Sequence, residues 1–331
     1  MEKVYFAKAK YYETDSINSA LKKILKLLDK RLNMKGEVPI KVHFGEHGND
    51  TFIGAENYNG IIDFLKKKKI SSRFIETNVL YKGKRTEAKE HKDLAKSHGF
   101  GQLPVTIATG YYPVEVNLKH FKSCKIAKEF SEYGNFIVTS HFKGHYLTGF
   151  GGAIKQLGMG FASRAGKLDM HASSKPFLNP IKCRKCGACV NKCKEDAIKI
   201  NKIIPRITKK CSGCAGCIAV CPHGAMIPNW AFGLGKGFHE KLAEYAYAAQ
   251  MNKRNIYINY VMNITRGCDC VGKKMKTIAP DIGLIASLDP VAADKASIDI
   301  LKKHKGFRGK YILDYSEKIG LGKKNYEFIK L

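Results

Sequence analysis

Eight of the chain's eleven cysteines fall in two identical runs. Cys183, Cys186, Cys189 and Cys193 spell C-x2-C-x2-C-x3-C, and Cys211, Cys214, Cys217 and Cys221 repeat it 28 residues later, with Pro222 behind the last. Three thiolates two residues apart on a tight loop can reach three corners of one cubane [4Fe–4S] cluster. The fourth cysteine of each run starts a helix leading away and reaches the other cluster. This predicts crossed ligation: Cys183, Cys186, Cys189 and Cys221 on one cluster, and Cys211, Cys214, Cys217 and Cys193 on the second. Small residues at Gly187, Ala188, Gly213, Ala215 and Gly216 let backbone N–H groups approach the sulfurs. Zinc prefers four ligands in a closed tetrahedron, usually as two pairs, and leaves the third cysteine of each triplet without a role. A disulfide framework fits the count alone, but these cysteines are clustered in a long chain without a secretory signal.

A second constellation lies in Ser140–Gly160. Gly144, Gly149, Gly151, Gly152, Gly158 and Gly160 crowd into 17 residues, with His141, His145 and Lys155 among them and His171 downstream. Glycine at that density implies tight turns or close backbone approach to a ligand. The stretch follows a predicted strand, where ligands bind in open α/β sheets. Gly149, Gly151, Gly152 and Lys155 are therefore expected to hold a cofactor or substrate, with Lys155, His145 and His171 as catalytic candidates. The third feature is Arg266-Gly-Cys-Asp-Cys270. Cys268 and Cys270, two apart, can point the same way. They are candidates for metal ligation, redox chemistry or plain burial, and a thiol beside Arg266 would ionise more readily. Asp281 and Asp289 are candidate orienting carboxylates. Cys124 stands alone and reads as structural.

The elements that must position these groups alternate strand and helix. Strands are expected at 3–8, Val38–Phe44, Arg73–Glu76, Val105–Ala108, Phe136–Thr139, Asn255–Ile264 and Ile282–Ala286. Helices are expected after the cap candidates Thr14, Asp15 and Ser16, and over about 56–68, 86–97, 237–251 and 292–303. This predicts an α/β domain with a mostly parallel sheet. Residues 177–228 interrupt it as a small α+β ferredoxin-type unit with an internal pseudo-repeat, leaving 1–176 and 229–331 as the two parts of the α/β domain.

The formal charge is +29. Within 181–225, ten Lys or Arg face only Glu195 and Asp196. Part of this is a solvated Lys-rich surface; beyond that it suits an acidic redox partner or a small anionic substrate. Nucleic acid is not expected, because no binding motif accompanies the charge. There is no apolar run long enough to span a membrane, and Met1–Lys10 has no signal-peptide core, so a cytoplasmic location is expected.

The chain resembles the family known as domain of unknown function 362, in the form carrying a ferredoxin insertion. The likeness rests on Tyr81-Lys-Gly-Lys-Arg85, the Gly149–Gly160 stretch with Ala153-Ile-Lys155, the C-D-C at 268–270, and Pro280–Pro290. It implies iron–sulfur binding without a settled activity. The stretch from His145 through Lys155 to His171 is also similar to the cofactor loop of nickel-pincer lactate racemases. That likeness implies Lys155 as the tether of an organic nickel cofactor, His171 as nickel ligand and His145 in acid–base work. The chain departs from the racemase pattern at Gly151, Ala153 and Met159.

These features lead to an iron–sulfur electron-transfer protein or oxidoreductase, whose clusters supply electrons to a site on the α/β domain. The alternative is a non-catalytic ferredoxin-like shuttle, or an activation or assembly factor for a metalloenzyme.

Overall fold

A computed structural model of the chain describes residues 1–172, 175–200, 205–211, 215–228, 235–304 and 307–331. Its centre is one eight-stranded sheet. In chain order the strands are β1 (Glu2–Lys8), β2 (Ile40–Lys41), β3 (Phe74–Thr77), β4 (Val105–Ala108), β5 (Ile137–His141), β6 (Ile256–Val261), β7 (Gly283–Ser287) and β8 (Tyr326–Lys330). Their spatial order is β8-β1-β7-β6-β5-β2-β3-β4. Every pairing is parallel except the two made by β7. The fold is α/β with a mostly parallel sheet.

Strand β6, Ile256-Tyr-Ile-Asn-Tyr-Val261, explains why helices cover both faces. All six of its residues are buried. Ile256, Ile258 and Tyr260 pack into one core, under the helices Thr14–Leu32 and Asn59–Lys67. Tyr257 and Val261 pack into the other, under Ala153–Phe161, Lys236–Gln250 and Pro290–Ile300. A strand apolar on both faces is stable only when sandwiched this way. Helix Thr14–Leu32 commits Ile17, Leu21, Ile24, Leu25 and Leu28 to the first core, each worth about 1.5–3 kcal/mol of burial.

Several boundaries differ from expectation. The first helix begins after Glu13, so Thr14, Asp15 and Ser16 fall in its first turn and not at the cap. The expected Val38–Phe44 strand forms a regular ladder only at Ile40–Lys41, although the Val38 and Val42 N–H groups still donate to the Ser71 and Ile75 carbonyls on either side. Helix Lys310–Lys318 and strand β8 had no expectation.

The cysteine segment carries its repeat into three dimensions. Helices Ala188–Lys192 and Gly216–Val220 each follow a left-handed residue, Gly187 at φ 77° and Ala215 at φ 59°. Two short antiparallel pairs frame them, Pro176–Leu178 with Met226–Pro228 and Ile198–Ile200 with Pro205–Ile207. The flanking helices Arg164–Ala172 and Lys236–Gln250 touch each other: a Cβ on Gly166 would sit 2.7 Å from the Tyr245 ring. The segment thus leaves and re-enters the α/β body at neighbouring points.

Candidate functional site

Three parallel strands end at one pocket. Glu76 and Thr77 close β3, Ser140 and His141 close β5, and His43 follows Lys41 at the end of β2; these residues, apart from Lys41, line the pocket. Arg85, Lys143, Lys155, Gln156, Lys167, Cys268, Asp269 and Cys270 complete most of the wall. The carboxyl edge of a parallel sheet is where such crevices form, because the connecting loops splay apart there.

The wall is built from buried charge. Lys41, fully buried, ion-pairs with Glu76 and donates to the Val42 carbonyl at 2.8 Å. Burial works against the Glu76 carboxylate, yet the Lys41 ammonium holds it down at about 2. Arg85, 1% exposed, donates to Glu46 Oε2 at 3.2 Å and to the Tyr81 hydroxyl. Lys143 ion-pairs with Asp269, which His141 Nδ1 also meets at 3.0 Å. His141 Nε2 lies 2.9 Å from the Met262 carbonyl, so its ring is fully engaged.

Two lysines break this pattern of pairing. Lys167, 8% exposed, donates to Thr77 Oγ1 at 2.6 Å and to the Ala162 carbonyl at 2.8 Å, both neutral acceptors. Burial lowers its ammonium to about 7. Lys155 has neither a hydrogen bond nor an ion pair among the described residues. Burial pushes its ammonium down, but Cys268, Cys270 and Asp269 outweigh that and hold it above the ordinary lysine range. The Ser140 hydroxyl, also in the wall, has no partner among the described residues.

The sulfurs face the same space. The Cys270 thiol is held well below its ordinary range, first by a hydrogen bond from Cys268 and then by Lys155 and His43. The Cys268 thiol is pushed up in return by that bond and by burial. The expected cation, Arg266, is exposed and plays no part.

Of the expected residues, Lys155, Gly151, Gly152, Cys268 and Cys270 meet in this pocket. Gly149 lines a different cavity, with Tyr146, Arg308 and Tyr311. His145 and His171 are absent from the lining, although both are depressed by burial and by the Lys155 charge. His145 Nδ1 accepts from the Thr148 N–H at 3.1 Å, and the His171 ring stacks on Phe238 at 4.8 Å. The glycine-rich stretch is a hairpin followed by helix Ala153–Phe161, not an open loop, so Lys155 stands on a helix. Its glycines serve packing: a Cβ on Gly158 would meet the Leu242 carbonyl at 2.5 Å, and one on Gly160 the Lys41 side chain at 2.8 Å. Asp281 and Asp289 are structural. Asp281 accepts from the Tyr11 and Asn263 N–H groups, and Asp289 caps helix Pro290–Ile300. Cys124 is fully buried in the core.

His43, Glu76 and Lys167 were not singled out from the sequence, and Arg85, Lys143 and Asp269 entered only as parts of motifs or stretches. A polar residue near the end of a predicted strand was an available signal for His43 and Glu76 alone.

The cysteine runs line two further cavities. Cys183, Cys186, Cys189 and Cys221 share one. Cys193, Cys211 and Cys217 share the other, while Cys214 and Gly213 lie outside the described residues. The Ala197 N–H donates to Cys193 Sγ at 3.3 Å, and the Ala225 N–H to Cys221 Sγ at 3.2 Å. Among the described residues, no three His, Cys, Asp or Glu side chains converge as around a single metal ion.

The model for the family described as domain of unknown function (DUF362) matches residues 38–299. The chain belongs to that family. The matched DUF362 region contains every residue of the pocket wall. Two solved structures are similar to this DUF362 chain. One is a protein from Thermotoga maritima, with TM-score 0.45, 11% identity, and coverage of 90% of this chain and 61% of that one. The other is the lactate racemase apoprotein from Thermoanaerobacterium thermosaccharolyticum, with TM-score 0.37, 14% identity, and coverage of 68% and 49%. The DUF362 chain thus spans less than two thirds of either structure. No curated protein matches it.

Proposed function

We propose that the chain is an iron–sulfur oxidoreductase that brings electrons to a small anionic substrate or cofactor held in the cationic pocket. One observation carries this reading: the elements that line the pocket are the ones against which the cysteine segment packs. On helix Arg164–Ala172, Lys167 faces the pocket, while its neighbour Leu168 packs with Cys189, Cys217, Ile218 and Met226. On the 79–85 loop, Arg85 and Val79 face the pocket, Leu80 joins that same apolar cluster, and Lys82 donates to the Pro222 carbonyl at 2.8 Å.

The donor set fits two cubane clusters. Cysteines from both runs line each cavity, and backbone N–H groups point at sulfurs. Cys183, Cys186, Cys189 and Cys221 would hold one cluster, and Cys193, Cys211, Cys217 and Cys214 the other. Bound there, such clusters supply single electrons at low potential. The chain's own residues do the rest. Lys155, Lys167 and Ser140 present donors to an anion, and Arg85 and Lys143 add positive field while their own carboxylates hold them in place.

The test is the midpoint potential of the anaerobically prepared chain with and without sulfate. An anion beside the electron path should lower the potential, and K155M/K167M should abolish the effect. A potential indifferent to sulfate would uncouple cysteine segment and pocket, and would favour the shuttle.

A further inference from the structure

We propose that Cys268 and Cys270 form a reversible dithiol–disulfide couple set in the wall of the cationic pocket. The backbone brings them together. The Val271 N–H donates to the Cys268 carbonyl at 3.0 Å, closing a turn over Cys268–Val271, and the Cys270 N–H reaches Cys268 Sγ at 3.3 Å. Both cysteines line the pocket. The Asp269 carboxylate between them is engaged by Lys143 and His141.

The turn is also held from outside. The Glu46 N–H donates to the Asp269 carbonyl at 2.9 Å, and Asn49 Nδ2 donates to the Val271 carbonyl at 3.0 Å. The two sulfurs are therefore held as neighbours, which raises the effective concentration of one at the other.

The surroundings suit thiolate chemistry, because the thiolate is the attacking form in disulfide exchange. His43 Nε2 lies 3.5 Å from Cys270 Sγ. Its Nδ1 accepts from the Gly45 N–H at 3.1 Å, and Arg85 Nη1 stands 2.8 Å from that same Nε2, so the ring and a buried guanidinium both border the sulfur. The Cys270 thiol is lowered first by the hydrogen bond from Cys268 and then by the Lys155 charge. Cys124 marks the contrast. It is fully buried in the apolar core, where burial pushes its thiol up. Cys270 differs from it in both respects: it is only half-buried and its thiol is lowered.

The chemistry balances simply. Oxidation joins Sγ of Cys268 to Sγ of Cys270 and releases two protons and two electrons. Reduction breaks that bond, takes the two protons back through the pocket, and draws two electrons from a pair of one-electron iron–sulfur donors or from one dithiol. The couple's place in turnover rests on the function proposed above; its existence does not.

The experiment equilibrates the intact chain anaerobically against graded ratios of reduced and oxidised dithiothreitol. Samples are then alkylated with iodoacetamide, and the tryptic peptide Gly267–Lys273 is weighed. The couple predicts a doubly alkylated peptide at reducing ratios and an unalkylated one, lighter by two hydrogens, at oxidising ratios, with a two-electron dependence between them. C268S should give single alkylation throughout. K155M should slow Cys270 alkylation at neutral pH by about tenfold. Double alkylation at every ratio, or separate mixed disulfides on each cysteine, overturns the proposal. Iron is measured on the same samples. A disulfide without iron keeps the couple and removes the proposed function, and iron without a disulfide does the reverse.

Discussion

Replacing Lys167 by methionine should make the empty protein more stable and its pocket blind to anions. Burial lowers the Lys167 ammonium from 10.5 to about 7. At ~1.4 kcal/mol per tenfold, holding that charge in place costs roughly 4–5 kcal/mol below pH about 7. Methionine removes this penalty and forfeits the bonds to Thr77 Oγ1 and the Ala162 carbonyl, about 1 kcal/mol each. K167M should therefore gain roughly 2–3 kcal/mol near pH 6. The sign with pH follows. The folded pKa lies below the unfolded one, so the unfolded chain binds more protons above pH about 7. Wild-type stability then rises with pH through that range, and the K167M advantage shrinks. The assay is chemical denaturation near pH 6 and near pH 9, each with and without sulfate. Sulfate should stabilise the wild type by mass action, less so above pH about 7, where Lys167 must regain a proton to bind it. It should leave K167M unmoved. A variant destabilised at pH 6 that sulfate still protects would make Lys167 a structural strut and refute the anion site.

Three further outcomes follow. Asp294 receives the Ala153 and Ile154 N–H groups at the start of the Lys155 helix, at 2.7 and 2.9 Å, and burial raises its carboxyl to about 7. Its folded pKa exceeds the unfolded one, so the folded state binds more protons between pH about 4 and 7. Stability should fall by up to ~1.4 kcal/mol per pH unit across that window, and the difference between wild type and D294N, read by denaturation, should show that slope. If the proposed clusters are bound, removing iron with a chelator should open residues 177–228 to limited proteolysis while the flanking α/β body resists, because ligation would then supply most of that segment's folding free energy; uniform resistance would argue otherwise. Association with an acidic redox partner should slow steeply as salt shortens the Debye length from ~30 to ~8 Å, and a salt-independent on-rate would reduce the +29 charge to a solubility effect.

The middle of the sheet was legible because β3, β5, β6 and β7 are buried on both faces, whereas the largely exposed edge strand β8 was not. Runs such as Ile256–Val261 leave no other reading once helices alternate with them. The internal repeat of the cysteine segment was legible because its spacing is local: each run folds into a left-handed residue followed by a short helix. The pocket was legible only in part. Lys155, Gly151, Gly152, Cys268 and Cys270 announced themselves through unusual local composition. Glu76, Lys143 and Lys167 did not, because each is an ordinary residue in its own segment. Lys41 and Glu76 are 35 residues apart and acquire meaning only when β2 and β3 lie side by side. Asp281 and Asp289 misled for the converse reason: carboxylates at strand ends also cap turns and helices, and these two are used up by backbone N–H groups. The glycines of Gly158 and Gly160 misled in the same way, since close helix packing and ligand approach both require the missing Cβ.

The measurement that bears most directly on the central claim is iron, acid-labile sulfide and zinc analysis of the chain purified without oxygen. Two cubane clusters predict about eight irons and eight sulfides per chain, with loss of roughly half when Cys221 alone is replaced by serine. One or two zinc ions per chain and no iron would contradict the account.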